Sequence, residues 1–145
     1  MIELVMLQNF LIALALGALV GLEREYARFR KRGHDYAGIR TFPLIALYGA
    51  ISAYMGELIS IWILVVGIVL VGGLILTAYS AMNKNNKRYM GATSEVAGLI
   101  TFFIGVLCYH GELVFAASLT IIMTVILYAR SMLHNFAKKM KSEEL

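Results

Sequence analysis

The strongest indication of the fold is the stretch LVMLQNFLIALALGALVGLEREYARFRKR, residues 4–32 of the chain. Its first part, Leu4–Leu22, holds no charged side chain, whereas Glu23–Arg32 carries five Lys or Arg side chains. A bilayer core of roughly 30 Å is crossed by about 20 apolar helical residues. An apolar stretch of this length with a basic segment directly after it is typical of a transmembrane helix that ends in the cytoplasm.

The same alternation of apolar stretch and polar joint recurs along the chain. The apolar stretches are Leu4–Leu22, Thr41–Ile59, Ile61–Met82, Thr93–Tyr109 and Leu113–Leu133. Each is long enough to cross a bilayer as a helix, although the fourth, which is the shortest, is only barely so. With 60% hydrophobic and 15% charged residues, the chain is too apolar for a soluble domain of 145 residues. We therefore expect an all-α, polytopic membrane bundle of five transmembrane helices, with one transmembrane domain over residues 1–135 and a charged cytoplasmic tail over residues 136–145.

Lys and Arg side chains are confined to one set of helix ends. All 13 lie in the joints after the first and third stretches, at the end of the fifth stretch or in the tail. The charged residues of the N-terminus and the other two joints are Glu3, Glu57 and Glu112. The positive-inside rule then predicts a plasma-membrane protein with its N-terminus outside and its C-terminus in the cytoplasm. The net charge of +4 is attributed to contact with anionic lipid headgroups, not to nucleic-acid binding.

Small residues recur at helical spacing within the apolar stretches and predict close helix packing. They are Ala13, Gly17 and Gly21 in the first stretch, Gly49 in the second, and Gly98 and Gly105 in the fourth. Such faces let two helix backbones approach each other closely in a membrane. We expect a homodimer or a higher homo-oligomer that packs through one of these faces.

Two helix starts can be predicted from single residues. Pro43 is the only proline, and proline is tolerated in the first turn of a helix, so the second helix should begin there with Thr41 or Phe42 as its cap. Arg40 would then lie just outside that helix. Ser60 is predicted to cap the third helix.

The sequence contains no catalytic motif and no phosphate-binding loop, so we expect neither an enzyme nor a bound cofactor. Cys108 is the only cysteine, which excludes an intramolecular disulfide and favours a buried, inert thiol.

Polar side chains from three segments are predicted to lie at the same depth, at the cytoplasmic helix ends. They are Glu23, Arg24 and Glu25 after the first stretch, Arg40 and Thr41 at the second, and Thr93, Ser94 and Glu95 at the fourth. Charge at this boundary is costly, and pairing Arg40 with Glu23 or Glu95 would offset the cost.

Two interpretations of this polar cluster remain open. In the first, Glu95 only interacts with the positive end of its own helix, and Thr93 or Ser94 caps that helix. In the second, the cluster is a polar vestibule for a cation, with carboxylates and hydroxyls as hard oxygen ligands. Glu23 and Glu95 are the candidate metal ligands in that case.

Three motifs, taken together, resemble those of the MgtC/SapB membrane family. They are GLERE at residues 21–25, AGIRTFPL at 37–44 and TSEVAGL at 93–99, in the family's order and spacing. The resemblance covers roughly residues 5–135 and implies a membrane domain of about five spans. It also implies that the matching residues form the family's polar set: Glu23, Arg24, Glu25, Arg40, Thr41 and Glu95. The soluble C-terminal domain of the family's virulence-associated branch has no counterpart after Leu133, so we expect the short form.

The resemblance implies two functions from different classes. One is an ion-handling channel or transporter, with Mg²⁺ as the leading cation. The other is a non-transporting regulator that binds other membrane proteins, as members of the virulence-associated branch regulate the ATP synthase. A lipid-binding structural protein is a third interpretation.

Overall fold

A computed structural model describes residues 2–31, 38–85 and 93–143 of the chain, with side chains over residues 3–29, 38–81 and 93–129. The described residues form five helices: α1 (Ile2–Lys31), α2 (Thr41–Leu58), α3 (Trp62–Asn85), α4 (Thr93–Tyr109) and α5 (Leu113–Glu143). No strand occurs in these ranges. The predicted all-α bundle of five helices is confirmed.

Two helices extend well beyond the apolar stretches that predict them. α1 continues from Leu22 to Lys31, and α5 continues from Leu133 to Glu143. Both extensions include Glu, Lys and Ala and contain neither Gly nor Pro, so intrinsic helix propensity favours them. Most of the segment predicted as a tail therefore continues the backbone of α5.

The start of α2 differs from its prediction by one residue. Thr41 is the first helical residue, and Arg40 is the N-cap with helical torsions (φ −87°, ψ −38°) and no side-chain cap hydrogen bond. The N–H groups of Thr41 and Phe42 donate to the main-chain carbonyl of Gly38 at 3.1 and 3.3 Å. Arg40 is thus the cap in place of the predicted Thr41 or Phe42, and a turn of main chain closes the start of the helix. Pro43 lies in the first turn, as predicted.

At the start of α3, the predicted role of Ser60 also changes. α3 begins at Trp62, two residues after Ser60. The main-chain carbonyl of Ser60 accepts a hydrogen bond from the N–H of Ile63 at 3.0 Å. Ser60 therefore supports the turn into α3 through its backbone.

Successive helices run in opposite directions, as their contacts show. Gly17 and Gly21 of α1 face Pro43 in α2 and Ile39 just before it, so residue numbers rise along one segment as they fall along the other. The same holds for α2 and α3, where Gly56 lies near Leu64, and Gly67 lies near Ser52. The three-residue joint between α4 and α5 turns the chain back once more.

α4 is the centre of the bundle, because it packs against each of the other four helices. The main core is built largely from small and aliphatic side chains, which let the helices approach closely: Ala13, Val20, Phe42, Ala46, Ala50, Ala97, Ile104, Cys108, Ala116, Met123 and Leu127. A second cluster ties α3 to the bundle through Ile45, Val71, Ile75 and Phe102. Cys108 is fully buried, as expected for an inert thiol.

The predicted small-residue faces are occupied by contacts within the chain. A Cβ on Gly49 would overlap the main-chain carbonyl of Phe102, and a Cβ on Gly105 would overlap that of Ala46. A Cβ on Gly17 would come within 2.7 Å of the Phe42 carbonyl oxygen. Ala13 and Gly98 are also buried. An oligomer of this chain would therefore need a different surface from the ones predicted.

Two helices are long and apolar enough to cross a membrane by length and composition. They are residues Glu3–Phe29 of α1 and Trp62–Ala81 of α3, in which the apolar 18-residue window has a mean hydropathy of 2.1 and 2.4. Only 28% and 17% of these windows are buried in the bundle, which suits helices that contact lipid. Thr93–Tyr109 and Leu113–Ala129 are shorter apolar helices. Crossing of the membrane by all five helices stays a prediction.

Candidate functional site

Three ionisable side chains are buried together at one end of the bundle. Glu23, Arg24 and Glu95 are only 9%, 6% and 7% exposed. At the other end, the ring of Phe10 in α1 stacks against that of Tyr109 in α4, with centroids 6.4 Å apart. α1 and α4 are antiparallel. The number of residues from Phe10 forward to Arg24 equals the number from Tyr109 back to Glu95, so Arg24 and Glu95 lie at the same depth of the bundle. At 1.5 Å per residue, that depth is about 21 Å from the Phe10–Tyr109 contact.

The two ends of the bundle contain different helix termini. The Glu23 end contains the end of α1 and the starts of α2 and α4. The Tyr109 end contains the start of α1 and the ends of α2 and α4. The predicted registration of polar residues at one depth is thus present for Glu23, Arg24, Ser94 and Glu95.

Arg24 is the partner of Glu23 and also reaches α5. Its Nε donates to Oε2 of Glu23 at 2.6 Å, with both side chains 7% exposed. One of its terminal nitrogens lies 3.5 Å from the main-chain carbonyl oxygen of Leu127. Arg24 therefore neutralises Glu23 and links α1 to α5.

Arg40 lies just outside α2, as predicted, but Glu23 has a different partner from the one suggested by the sequence. Arg40 is exposed at the N-cap of α2, and the structure pairs Glu23 with Arg24 instead. The physical reason is position along the helix: Arg24 adjoins Glu23 within the buried part of α1, whereas Arg40 lies in the turn before α2, where its charge can stay in solvent. Thr41, the next residue, is partly buried.

Glu25 lies at the edge of the buried group and pairs on the surface. Its carboxylate accepts a hydrogen bond from Arg28 at 2.5 Å. One of its oxygens also lies so close to Gly38 that no Cβ could be added there without displacing it. A glycine at position 38 thus lets the α1 carboxylate approach the start of α2.

The first turn of α4 contributes the remaining predicted residues. Ser94 and Glu95 are 5% and 7% exposed, and Thr93 is partly buried. Glu95 lies in the first helical turn, where the positive end of the helix macrodipole favours a carboxylate.

Comparison with known proteins identifies the family. The model of the MgtC family matches residues 10–136, which covers most of the chain. The chain belongs to the MgtC family. No match is found among curated proteins or among solved structures. Membership associates this MgtC-family protein with membranes and with Mg²⁺ homeostasis, and the matched range contains every residue of the buried charged group.

The described residues of this MgtC-family protein do not form a ready-made metal site. They contain no group of three His, Cys, Asp or Glu side chains close enough to hold a metal ion. Any cation bound by Glu23 or Glu95 would therefore need hydroxyl, main-chain or water oxygens to complete its ligand set.

Hydroxyl groups line the middle of the bundle on α4 and α5. Thr101 and Thr120 are fully buried, and each donates to the main-chain carbonyl four residues earlier, at 2.7 and 2.8 Å. Thr124 donates to the carbonyl of Thr120 at 2.7 Å. These bonds use the hydroxyl hydrogens, and the oxygens keep lone pairs that can accept.

Sequence reasoning missed two polar features of this MgtC-family protein. Asn9 is buried in α1, and a polar side chain inside an apolar stretch is a signal that could have found it. The Leu127 carbonyl, which lies near Arg24, carries no sequence signal because any residue supplies a carbonyl.

Proposed function

We propose that this MgtC-family protein handles a cation in a membrane, with Mg²⁺ as the leading candidate, at the buried residues Glu23, Arg24 and Glu95. One observation carries the proposal: three ionisable side chains are buried at one depth of the bundle. Buried charge in a membrane protein is costly, and it is retained where ions or protons are handled.

The chemistry of the group suits a hard cation. Glu23, Glu95 and the Ser94 hydroxyl offer oxygen ligands, and Mg²⁺ usually binds one or two carboxylates while keeping several waters. The Arg24 guanidinium takes the place of a cation beside Glu23 when no ion is bound. A cation that binds Glu23 then replaces the Arg24 guanidinium as the positive partner of this carboxylate, so the carboxylate is neutralised with or without the ion.

The proposed membrane arrangement rests on charge. With five spans, the Glu23 end would lie on the cytoplasmic side of the plasma membrane, since every Lys and Arg flanks that set of helix ends. The cluster would then open to cytoplasmic ions, while the Tyr109 end would face outside.

Flux through the purified protein tests this function. We expect proteoliposomes that contain only this chain to take up or release Mg²⁺, and Glu23→Gln to reduce the rate at least tenfold. Glu112→Gln is the matched control, because Glu112 is an exposed glutamate at the opposite end. No flux above empty liposomes for the folded wild type would contradict transport.

A non-transporting regulator is the second candidate, and the outward face of α3 favours it. Among the described residues, a Cβ built on Gly73 meets nothing within 4 Å beyond its own stretch of helix, and Thr77 and Ser80 are exposed one and two turns further along α3. Small residues on an open face allow another transmembrane helix to pack closely. A partner protein or a second copy of this chain would dock there. Gly73→Leu should then abolish co-purification with the partner while leaving Mg²⁺ flux unchanged.

A further inference from the structure

The Tyr109 end joins α2 to α4 through one carboxylate. Glu57, in the last turn of α2, accepts a hydrogen bond at Oε2 from the Tyr109 hydroxyl at 2.8 Å. Its other oxygen, Oε1, lies 3.3 Å from Nδ1 of His110, the first residue after α4. Both oxygens of Glu57 are therefore engaged by the end of α4.

A group of aromatic rings fixes the position of these residues. Phe10, Tyr54 and Tyr109 form three ring contacts with centroids 5.9 to 6.4 Å apart, which bring together α1, α2 and α4. The His110 ring packs edge-on against Tyr109 at 5.2 Å. The pairs among Phe10, Tyr54 and Tyr109 do not depend on pH in the range where histidine titrates, so they hold Tyr109, and with it the adjacent His110, near the end of α2.

The surroundings of His110 are acidic. The titratable groups of α2 that face it are Glu57 and Tyr54, and its own helix adds Tyr109. The charged side chain of the start of α1 is Glu3, that of the next joint is Glu112, and residues 113–119 of α5 carry no titratable group. A protonated imidazole is thus the only positive side chain among the described residues of this end.

We propose that Glu57, Tyr109 and His110 form a proton-dependent latch that ties the end of α2 to the end of α4. Histidine is the residue whose charge ordinarily changes between about pH 5 and 8. When His110 is protonated, it forms an ion pair with Glu57, and the latch is tightest. When His110 is neutral, the charge–charge attraction is lost, and Glu57 keeps the Tyr109 hydrogen bond and a weaker, uncharged contact with the imidazole.

Lower pH adds a charge-assisted contact between the two helix ends, so it stabilises the closed arrangement of the Tyr109 end. Both partners are partly exposed, with side chains 45% and 57% accessible, so the effect is modest. The latch does not rest on the proposed cation site, which lies at the other end of the bundle.

A melting experiment in detergent tests the latch. Wild type, His110→Gln, Glu57→Gln and the double variant are compared at about pH 5.5 and about pH 8, the range over which histidine titrates. We expect the wild type to gain about 1–4 °C in Tm at the lower pH relative to His110→Gln, the size expected for an exposed ion pair. The gain should also vanish in Glu57→Gln and in the double variant. Glu112→Gln, an exposed carboxylate in the neighbouring joint, should keep the wild-type pH dependence.

A distance measurement covers the case in which a variant folds poorly. Spin labels at Leu58 and Val114, which are 63% and 84% exposed, report the separation of the two joints in the otherwise unchanged protein. A narrower distance distribution at the lower pH is expected, and it should disappear in His110→Gln. Identical pH dependence of Tm in wild type and His110→Gln, with an unchanged distance distribution, would overturn the latch.

Discussion

Arg24 is the residue on which the Glu23 end depends most. Its guanidinium is buried, bonds to Glu23 and lies near the main-chain carbonyl of Leu127 in α5. In a low-dielectric interior, removal of one partner leaves the other charge uncompensated, and this costs far more than the pair itself contributes. Arg24 thus both neutralises a carboxylate and connects two helices.

We expect Arg24→Ala to destabilise the protein strongly. The cost for breaking a buried pair is about 3–5 kcal/mol, measured as the free energy of unfolding in detergent. Arg28→Ala is the matched control, since Arg28 pairs with Glu25 in a side-chain environment that is 43% exposed. Its loss should cost at most about 1 kcal/mol. Equal effects of the two substitutions would contradict a buried ion pair at Arg24.

For single residues, the sequence predicted the depth at which charged side chains lie in the bundle, but it did not predict which of them form ion pairs. It placed Glu23 and Glu95 at one level because the ends of apolar stretches define the membrane boundary. It assigned Arg40 to Glu23 or Glu95, whereas the structure has Arg24 beside Glu23. The choice between two arginines depends on how each helix is rotated and on what covers it, and neither is encoded in the spacing of charged residues.

α2 and α4 are the elements that hold the bundle together. They cross where Gly49 meets the Phe102 main chain and Gly105 meets that of Ala46. Main chain cannot yield as a flexible side chain can, so these two positions accept no Cβ without separating the helices.

Gly105→Leu should therefore abolish the folded protein, and Gly73→Leu should not. At Gly105 the added side chain would overlap α2, whereas at Gly73 it would extend from the open face of α3. Detergent size-exclusion chromatography and helical content measure the outcome. A Gly105→Leu protein with an unaltered profile and helix content would contradict the crossing of α2 and α4.

The existence of the helices was predictable, and their packing partners were not. The five apolar stretches correspond to the five helices, because length and hydropathy suffice to define a helix of this kind. The small-residue faces were correctly recognised as sites of close approach, but the prediction placed a second copy against them. A glycine face shows that some helix approaches, and only the three-dimensional arrangement shows that the helix belongs to the same chain.

The whole molecule separates charge along its length. Lys and Arg flank the Glu23 end, while the joints at the Tyr109 end carry Glu57, His110 and Glu112. This asymmetry predicts the orientation of the molecule in the membrane, because positive residues stay in the cytoplasm.

Cysteine labelling tests that orientation. In a Cys108→Ser background, cysteines at the exposed positions Leu58 and Glu112 should react with an impermeant reagent added from outside. Cysteines at positions 32 and 86 should react only after the cytoplasmic side is opened. Labelling of position 86 from outside would contradict five spans with the N-terminus outside.

Glu95→Gln is the decisive test of whether the buried charged group at the Glu23 end handles a cation. Glutamine keeps the shape of the side chain and removes its charge. Mg²⁺ binding by calorimetry, Mg²⁺ flux and melting temperature are measured on the same preparation, with Glu112→Gln as control. We predict that Glu95→Gln loses binding and flux while the protein stays folded. Wild-type binding and flux, with a stability loss of only about 0.3–1 kcal/mol, would instead make Glu95 a helix-terminal charge and contradict a role in cation handling.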